Sequence, residues 1–443
     1  MLKNISTISK KVTPTKTIQT SKEKIARTAF DLVEKEVKKF PEIKGIEFGG
    51  SYAKGTWLSK GADVDIFVRF KRSTSEDKFE KISRKIGFEA LKKYSPYVRY
   101  SEHPYVEAKI KDTKINIVPF YDITDGKWKS AADRSPHHTK FMKKNLTPKM
   151  KNDVRLLKQF LKSQEIYGAE IAKQGFSGYV SEVLILNYGS FEKTIKSISK
   201  INEGDVIGDA TKKFSTPIVI IDPIDKNRNL AAAISDENVG RFILACRALS
   251  KKPTDEFFDY KKLQAANKYW GNLLTVKFDF NPRSPDIIWG QIKRATSSLA
   301  TQLELAGFEV LRSNSYTNQK KEAALFFLLR STEITSTYTK KGPEFFREDS
   351  CSSFIAKNQK NSEMMWIDED KKIVSLEKRK HIKAEKFITK FLKENLQTGM
   401  PKGLQGDFKN GFRIIIGKKG MSKSIKEAAS ELVSTDAIIL HFN

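Results

Sequence analysis

Cysteine is scarce in this sequence, and long apolar runs are missing. The two cysteines, Cys246 and Cys351, stand far apart and outside any CxxC or Cys/His cluster, which argues against a disulfide framework and a structural zinc site. No stretch approaches the roughly 18 consecutive apolar residues of a membrane span. The sequence therefore predicts a protein of the reducing cytoplasm without a membrane-spanning helix.

The N-terminal segment lacks the marks of a targeting peptide. Residues 1–22 contain several serines, threonines and lysines and no acidic side chain, but they also have no arginine and no apolar core of the secretory kind. We expect residues 1–22 to form a flexible basic tail.

Acidic residues are the minority charge. The chain has 81 Lys and Arg against 53 Asp and Glu, which gives a formal net charge of +28. A solvated, lysine-rich surface would account for this excess, but a nucleic acid partner is the interpretation we favour. Contacts to phosphates would make the affinity fall steeply with salt.

The length of the chain indicates several domains, because one hydrophobic core seldom organises 443 residues. We expect an α/β multidomain protein, with an α/β domain at 23–148, a helical central domain at 149–262 and an α+β region at 263–443. The last region has the strand, long helix, strand, strand order of an open antiparallel sheet backed by helices. Such sheets often bind RNA.

Two aspartates, Asp63 and Asp65, interrupt an otherwise apolar strand at alternate positions, so both carboxylates point to one face. Like charges this close are costly unless a cation lies between them, which predicts a Mg²⁺ site of the two-metal kind. The preceding Gly-Gly-Ser turn places backbone N–H groups and the Ser51 hydroxyl against phosphates, and Lys54 adds positive charge. A solvated strand edge would explain the aspartates alone, but the whole frame favours a nucleotidyltransferase.

Seven ordered blocks resemble one family over nearly the whole chain: GGSYAKGTWL, DVDIFV, YSEHPYV, SAADRSPHHTKFM, NDVRLLKQFLKSQEIYGAE, GFSGYVSEVLILNYGSF and DPIDKNRNLAAAIS. They are similar to blocks of the archaeal-type (class I) CCA-adding tRNA nucleotidyltransferases, with a looser match in the C-terminal third. The resemblance implies a polymerase β-like nucleotidyltransferase head with a mixed sheet. It also implies restoration of the 3′-terminal CCA of tRNA from CTP and ATP without a nucleic-acid template.

The resemblance assigns roles to particular residues. Asp63 and Asp65 would bind the metal, and Ser51 and Lys54 would hold the triphosphate. Further nucleotide contacts would come from His138, Lys158, Tyr167 and Arg228. The basic helical and C-terminal domains would clamp the tRNA acceptor arm.

Taken alone, several of these residues are also compatible with ordinary structural roles. A basic stripe at helical spacing is more typical of a solvated face, and its members are Lys151, Arg155, Lys158 and Lys162. His137 and His138 could form a metal pair, although no further ligand supports it. Arg228 could simply pair with Asp225 in a loop.

One position departs from the family pattern. The third metal-binding carboxylate is expected on a strand before a Val-Pro pair, where this chain has Asn116. An amide oxygen can bind Mg²⁺ but adds no charge and accepts no proton, so metal affinity and catalysis should both suffer. A deliberate Asp-to-Asn change that traps a complex, a natural enzyme with a relocated acid, and a binding protein that has lost catalysis all stay open.

Glu107 is the candidate for a relocated acid. The segments PYVEAKI and KINIVPFY predict a hairpin around KDT. With the turn at Asp112 and Thr113, Lys109 would face Asn116, and Glu107 would lie diagonally on the same face, roughly 7–8 Å away. Either Glu107 or Asn116 would then complete the metal site.

Two rival functions remain at this point. One is another template-independent polymerase, such as a poly(A)-adding enzyme, and the other is a catalytically silent tRNA-binding protein. The oligomeric state also stays open, with a homodimer among the options.

Overall fold

The computed structural model describes residues 5–99, 104–124, 126–259 and 267–440. The chain divides into two compact units, which consist of Met1–Leu263, Ser284–Ile287 and Asp436–Asn443, and of Gln264–Arg283 and Ile288–Thr435. The boundary expected between residues 262 and 263 lies outside the described ranges. Within those ranges, no helix combines the length and the apolar character needed to cross a membrane.

The first unit begins by alternating helices and strands: α1 Ile5–Val12, α2 Lys16–Val37, β1 Ile43–Gly49, α3 Gly50–Lys54, β2 Val64–Phe70, α4 Glu76–Ala90, β3 Tyr97–Arg99, β4 Tyr105–Ile110 and β5 Thr113–Tyr121. The strands form one mixed sheet in the order β1-β2-β5-β4-β3, in which only β2 and β5 are parallel neighbours. Alternate residues of β2, from Val64 to Phe70, are buried in a core shared with α2 and α4. Asp65 therefore belongs to the opposite face of the sheet.

The hairpin between β4 and β5 has a different register from the predicted one. Ile110 pairs with Thr113 and Glu107 pairs directly with Asn116, so the turn consists of Lys111 and Asp112. Thr113 is fully buried, and its hydroxyl accepts a hydrogen bond from the Lys22 ammonium at 2.6 Å. A residue with such a buried partner belongs to the strand, which is why the predicted turn at Asp112 and Thr113 was wrong.

The expected flexible tail is replaced by helical structure from residue 5 onwards. In α1, Ile8 and Val12 are each 6% exposed and pack into the core of the helical region. The next helix, α2, is capped by the Thr15 hydroxyl, which accepts a hydrogen bond from the Ile18 N–H at 3.3 Å. The i, i+4 spacing of the two buried residues is the signal that the prediction overlooked.

The remainder of the first unit is mainly helical, with α5 Arg134–Asn145, α6 Pro148–Ser163, α7 Gly178–Tyr188, α8 Phe191–Ile198, β6 Val206–Ile207, β7 Val219–Asp222, β8 Asp225–Asn229 and α9 Asp236–Lys251. Ser235 caps α9 by accepting a hydrogen bond from the Asn238 N–H at 3.3 Å. The small sheet β6-β7-β8 was not predicted, because strands of two to five residues show too little alternation.

Most of the later elements lie in the second unit: β9 Leu273–Asp279, α10 Pro285–Leu305, β10 Val310–Thr317, β11 Glu322–Leu329, β12 Thr337–Glu344, α11 Glu348–Asn358, β13 Ser362–Ile367, β14 Lys372–Lys378, α12 Ala384–Glu394, α13 Leu396–Gly399, α14 Lys402–Lys409, β15 Phe412–Ile416, α15 Lys423–Ser430 and α16 Ala437–Leu440. The predicted antiparallel sheet is present in the order β10-β11-β9-β15, beside a second sheet, β12-β14-β13. The last of these helices, α16, begins after Asp436, whose carboxylate accepts a hydrogen bond from the Ile438 N–H at 3.1 Å.

Candidate active site

The connection from β1 to β2 brings a short helix against the two aspartates. Gly50, the first residue of α3, has a φ of +60°, and a Cβ atom there would lie 1.7 Å from Oδ2 of Asp65. This position therefore requires glycine. Asp63 directly precedes β2, and Asp65 lies within it. On the parallel neighbour β5, Asn116 donates a hydrogen bond from Nδ2 to Oδ1 of Asp65 at 2.8 Å.

Burial raises the pKa of both aspartate carboxyls. For Asp65, the hydrogen bond from Asn116 and the charge of Lys54 act in the opposite direction without cancelling the rise in pKa. For Asp63, the charge of Lys114 opposes burial, whereas the charge of Asp65 raises the pKa further. The protein's own groups thus leave the acidic pair short of positive charge.

The oxygen atoms around this pair suit a hard divalent cation. Besides the two carboxylates, Asn116 offers Oδ1, a buried acceptor that has no hydrogen-bond partner among the described residues. In the described part of the chain, no three His, Cys, Asp or Glu side chains form a potential metal cluster. The residues present fit an ion such as Mg²⁺, with an amide where a third carboxylate would add negative charge.

Glu107 lies directly opposite Asn116 and is 4% exposed. Its carboxylate accepts a hydrogen bond from the Tyr97 hydroxyl and lies 3.7 Å from Nε of Arg99. The charge of Glu107 reaches Asp63, whose pKa it raises. Glu107 is therefore a neighbour of the acidic pair that already has partners of its own.

Lys54, at the end of α3, is buried against another carboxylate. Its Nζ lies 2.5 Å from Oε2 of Glu182 on α7, and the Thr56 hydroxyl donates to Oε1 of Glu182 at 2.5 Å. Burial alone would raise the pKa of Glu182, but the charges of Lys54 and Lys158 hold it below its usual value. Ser51 is half-buried in α3, and its carbonyl accepts a hydrogen bond from the Thr56 N–H at 3.1 Å.

Two members of the basic stripe on α6, Arg155 and Lys158, are buried, so the alternative of a solvated face does not apply to them. Lys158 is 1% exposed and donates from Nζ to the Thr56 carbonyl at 3.1 Å. Arg155 donates from Nε to the Trp57 carbonyl at 3.0 Å and from Nη2 to the Gly55 carbonyl at 2.6 Å. These three successive carbonyls lie outside helix and strand, and the two cations supply the hydrogen bonds that they need.

Asp222, the last residue of β7, joins two of the predicted nucleotide-binding residues. Its Oδ2 lies 2.9 Å from Nε2 of His138 and accepts from Nη1 of Arg228 at 3.1 Å. Its Oδ1 accepts from the Tyr179 hydroxyl at 2.9 Å, and the Tyr179 ring stacks on His138 with centroids 3.8 Å apart. Burial lowers the pKa of His138, although Asp222 opposes the change. Arg228 thus pairs with Asp222 and not with Asp225.

The remaining candidates lie at the edges of these clusters. Nε2 of His137 lies 2.8 Å from the Ile123 carbonyl, whereas Nε2 of His138 lies by Asp222, and neither histidine belongs to a group of three potential metal ligands among the described residues. Tyr167 is close to Lys158, because a Cβ atom on Gly178 would lie 3.0 Å from the Tyr167 hydroxyl and 3.4 Å from Nζ of Lys158.

Two residues of α7, Tyr179 and Glu182, connect the clusters and were not predicted from the sequence. Lys54 lies 5.4 Å from the centroid of the Tyr179 ring, and its charge acts on the pKa of both Asp65 and His138. The available signal was Glu182 itself, the one charged residue in the sequence of α7. The metal, phosphate and nucleotide candidates therefore belong to one electrostatically coupled site.

Comparison with protein families gives three successive matches. The nucleotidyltransferase domain matches residues 31–142, the second domain of tRNA nucleotidyltransferase matches 152–259, and the C-terminal domain of CCA-adding enzyme matches 271–417. Among solved structures, one titled as a cytoplasmic RNA terminal U-transferase has a TM-score of 0.45 and 13% identity, covering 59% of this chain and 98% of that one.

Curated relatives cover most of the chain. The CCA-adding enzyme of Saccharolobus shibatae is 35% identical over 349 residues, which are 78% of this chain and 83% of that protein. The CCA-adding enzyme of Sulfolobus acidocaldarius is 34% identical over 370 residues, which are 81% and 86% of the two chains. The chain therefore belongs to the CCA-adding enzyme family of tRNA nucleotidyltransferases.

Proposed function

We propose that this protein adds the 3′-terminal CCA to tRNA from CTP and ATP, without a nucleic-acid template. The observation that carries the proposal is the Asp63 and Asp65 pair, in which Asp65 lies against Gly50 and is electrostatically coupled to Lys54, in a chain of this family. In each step the terminal 3′-hydroxyl of tRNA attacks the α-phosphorus of the nucleotide. A phosphodiester bond forms, the bond to pyrophosphate breaks, and the hydroxyl loses its proton.

Asp63, Asp65 and the amide oxygen of Asn116 are the groups that would hold Mg²⁺. When bound, such an ion would favour deprotonation of the attacking hydroxyl and would shield the charge of the leaving pyrophosphate. The buried Oδ1 of Asn116, which has no partner within the described ranges, and the raised pKa of both carboxyls support this assignment.

Ser51, Lys54 and Lys158 are assigned to the triphosphate. Two ammonium groups beside the Thr56 loop supply the charge that phosphates require. The rest of the nucleotide is assigned to His138, Tyr167 and Arg228, with Arg228 at the base edge. The Arg228 side chain is 39% exposed, so part of its guanidinium remains accessible while Asp222 orients it.

The three regions have separate tasks in this proposal. Residues 23–148 carry the catalytic site, residues 149–262 complete the nucleotide pocket, and the basic region 263–443 binds tRNA. Cys246 and Cys351 are both free and buried, which suits work in the cytoplasm.

The test is incorporation of labelled CTP and ATP into tRNA that lacks its CCA end, for the protein as written and for Asn116→Asp side by side. The proposal expects use of both nucleotides and a stop after three additions, with a higher rate for Asn116→Asp. Asp63→Asn is the inactive control. Continued addition of ATP alone would indicate a poly(A)-type polymerase, and silence of both proteins at every Mg²⁺ or Mn²⁺ concentration would refute the proposal.

A further inference from the structure

Glu182 is the only carboxylate that pairs with the ammonium groups of Lys54 and Lys158 among the described residues. Glu182 is fully buried on α7. Its Oε2 lies 2.5 Å from Nζ of Lys54, and its Oε1 lies 3.5 Å from Nζ of Lys158. The Thr56 hydroxyl links the two arms, because it donates to Oε1 of Glu182 at 2.5 Å and accepts from Nζ of Lys158 at 3.2 Å. One acid thus fixes two lysines that come from α3 and α6.

The charges in this cluster do not balance. Two ammonium groups face a single carboxylate, and the nearby Arg155 uses its donors on carbonyl groups and on the Asn152 side chain. A buried cluster with excess positive charge is favourable only if an anion approaches it. The geometry also leaves the lysines no freedom to search for that anion, because each ammonium group is tied to Glu182.

We propose that Glu182 is a positioning residue: its carboxylate fixes the ammonium groups of Lys54 and Lys158 in the orientation in which they receive the triphosphate of CTP or ATP. The inference rests on the proposed function for the identity of the anion. Glu182 itself touches no substrate in this scheme. Because the triphosphate is common to both nucleotides, Glu182 should contribute equally to the binding of each.

The protonation of Lys158 gives the proposal a second readout. Burial lowers the pKa of Lys158 to about 8, the charges of Lys54 and Arg155 act in the same direction, and Glu182 opposes them. Tyr167 is the other titratable group near this ammonium, and burial raises the pKa of its hydroxyl, so it stays neutral at neutral pH. Without the Glu182 charge, the pKa of Lys158 falls further and the ammonium form is lost at lower pH.

The experiment is equilibrium binding of CTP and of ATP to the full-length protein across pH 6 to 9, for the protein as written and for Glu182→Gln. The amide keeps the shape of the side chain but presents no negative charge to the lysines. We expect Glu182→Gln to weaken both nucleotides about tenfold to a hundredfold and to shift the alkaline loss of binding to lower pH. The matched control is Glu203→Gln, because Glu203 is exposed; its binding curves should match those of the original protein.

A structural role alone predicts a different pattern. In that case Glu182→Gln lowers the melting temperature but changes neither nucleotide affinity nor its pH dependence, and this result would overturn the proposal. If Glu182→Gln does not fold, Thr56→Val decides: it removes only the hydroxyl between Glu182 and Lys158 and should weaken both nucleotides several-fold. Unchanged affinity in Thr56→Val would equally reject the inference.

Binding also separates this inference from the proposed function. A protein that binds CTP and ATP but incorporates neither into tRNA refutes the proposed function, while the effect of Glu182→Gln on affinity is still measured. A protein that incorporates both nucleotides with unchanged affinity in Glu182→Gln refutes only the positioning role.

Discussion

Asn116→Asp should destabilise the metal-free protein, although it restores the acid expected for the family. Asn116 is 8% exposed and donates to Oδ1 of Asp65 at 2.8 Å. An aspartate at this position places a second carboxylate in hydrogen-bond contact with Asp65, so one of the two must keep a proton to replace the lost donor. Holding a proton at pH 7 on a group whose usual pKa is near 4 costs about 1.4 kcal/mol per unit, or about 4 kcal/mol.

The pH dependence of this cost has a definite sign. The shared proton raises the folded-state pKa above the unfolded value, so the variant is as stable as the original protein below about pH 4 and loses stability as the pH rises to 7. Asn116 belongs to the first of the two units. For a unit of roughly 250 residues, a loss of about 4 kcal/mol corresponds to a fall in melting temperature of about 8–16 °C. Mg²⁺ should narrow the difference, because the additional carboxylate lowers the Kd of the variant, and each tenfold decrease in Kd adds about 1.4 kcal/mol of stability at saturating ligand.

The assay is thermal unfolding followed by circular dichroism, in EDTA and in saturating Mg²⁺, at pH 5 and pH 7. Asn361→Asp is the control, because Asn361 is exposed and should show neither effect. Equal melting temperatures of Asn116→Asp and the original protein in EDTA at pH 7 would refute the reasoning. The same conclusion would follow if Mg²⁺ raised both melting temperatures by the same amount.

Three further predictions test other parts of the structure. Gly50→Ala should abolish nucleotide incorporation, because the Cβ atom of the alanine would lie 1.7 Å from Oδ2 of Asp65. The control is Gly240→Ala, which should leave the rate unchanged because the space around its Cβ atom is open. Equal rates of incorporation by the two variants would show that the close approach of Gly50 to Asp65 is not required. Ile8→Ala should destabilise the first unit by about 2 kcal/mol or more in a thermal melt, and the exposed-site variant Ser6→Ala should not, since Ile8 packs into the helical core. The affinity for tRNA lacking CCA should fall linearly on a log–log plot against salt, with a slope of about −0.9 to −0.7 per phosphate contacted, and a shallow slope would contradict a broad phosphate clamp by this +28 chain.

The faces of the first sheet could be predicted from the sequence, but the pairing of its hairpin could not. Alternation alone placed Val64 with the core and Asp65 on the opposite face, because side chains of a strand alternate strictly. Register depends instead on which residue has a buried partner. The Thr113 hydroxyl accepts a hydrogen bond from Lys22, a residue 91 positions away. With Thr113 inside the strand, the register of the hairpin pairs Glu107 directly with Asn116.

The same distinction separates the predicted part of the site from the missed part. Asp63 and Asp65 are two residues apart on one strand, and the repulsion between their like charges is evident from the sequence alone. The sequence was therefore sufficient to identify them as candidate metal ligands. Lys158 was assigned to the nucleotide only through the family resemblance, because a basic stripe taken alone is more typical of a solvated face. Its ammonium group donates to Thr56, which lies 102 positions away, and it shares Glu182 with Lys54, which lies 128 positions from that acid. No local pattern reveals that one acid serves both lysines.

The two halves of the site have opposite electrostatic deficits. Asp63 and Asp65 are carboxyls with raised pKa that lack a cation, whereas Lys54 and Lys158 are cations with only Glu182 between them. A Mg²⁺–triphosphate complex carries both missing charges in one ligand, its metal suited to the acids and its phosphates to the lysines. Each half therefore favours the same ligand, and Glu182 is the residue whose removal should upset the balance on the lysine side while leaving the aspartates intact.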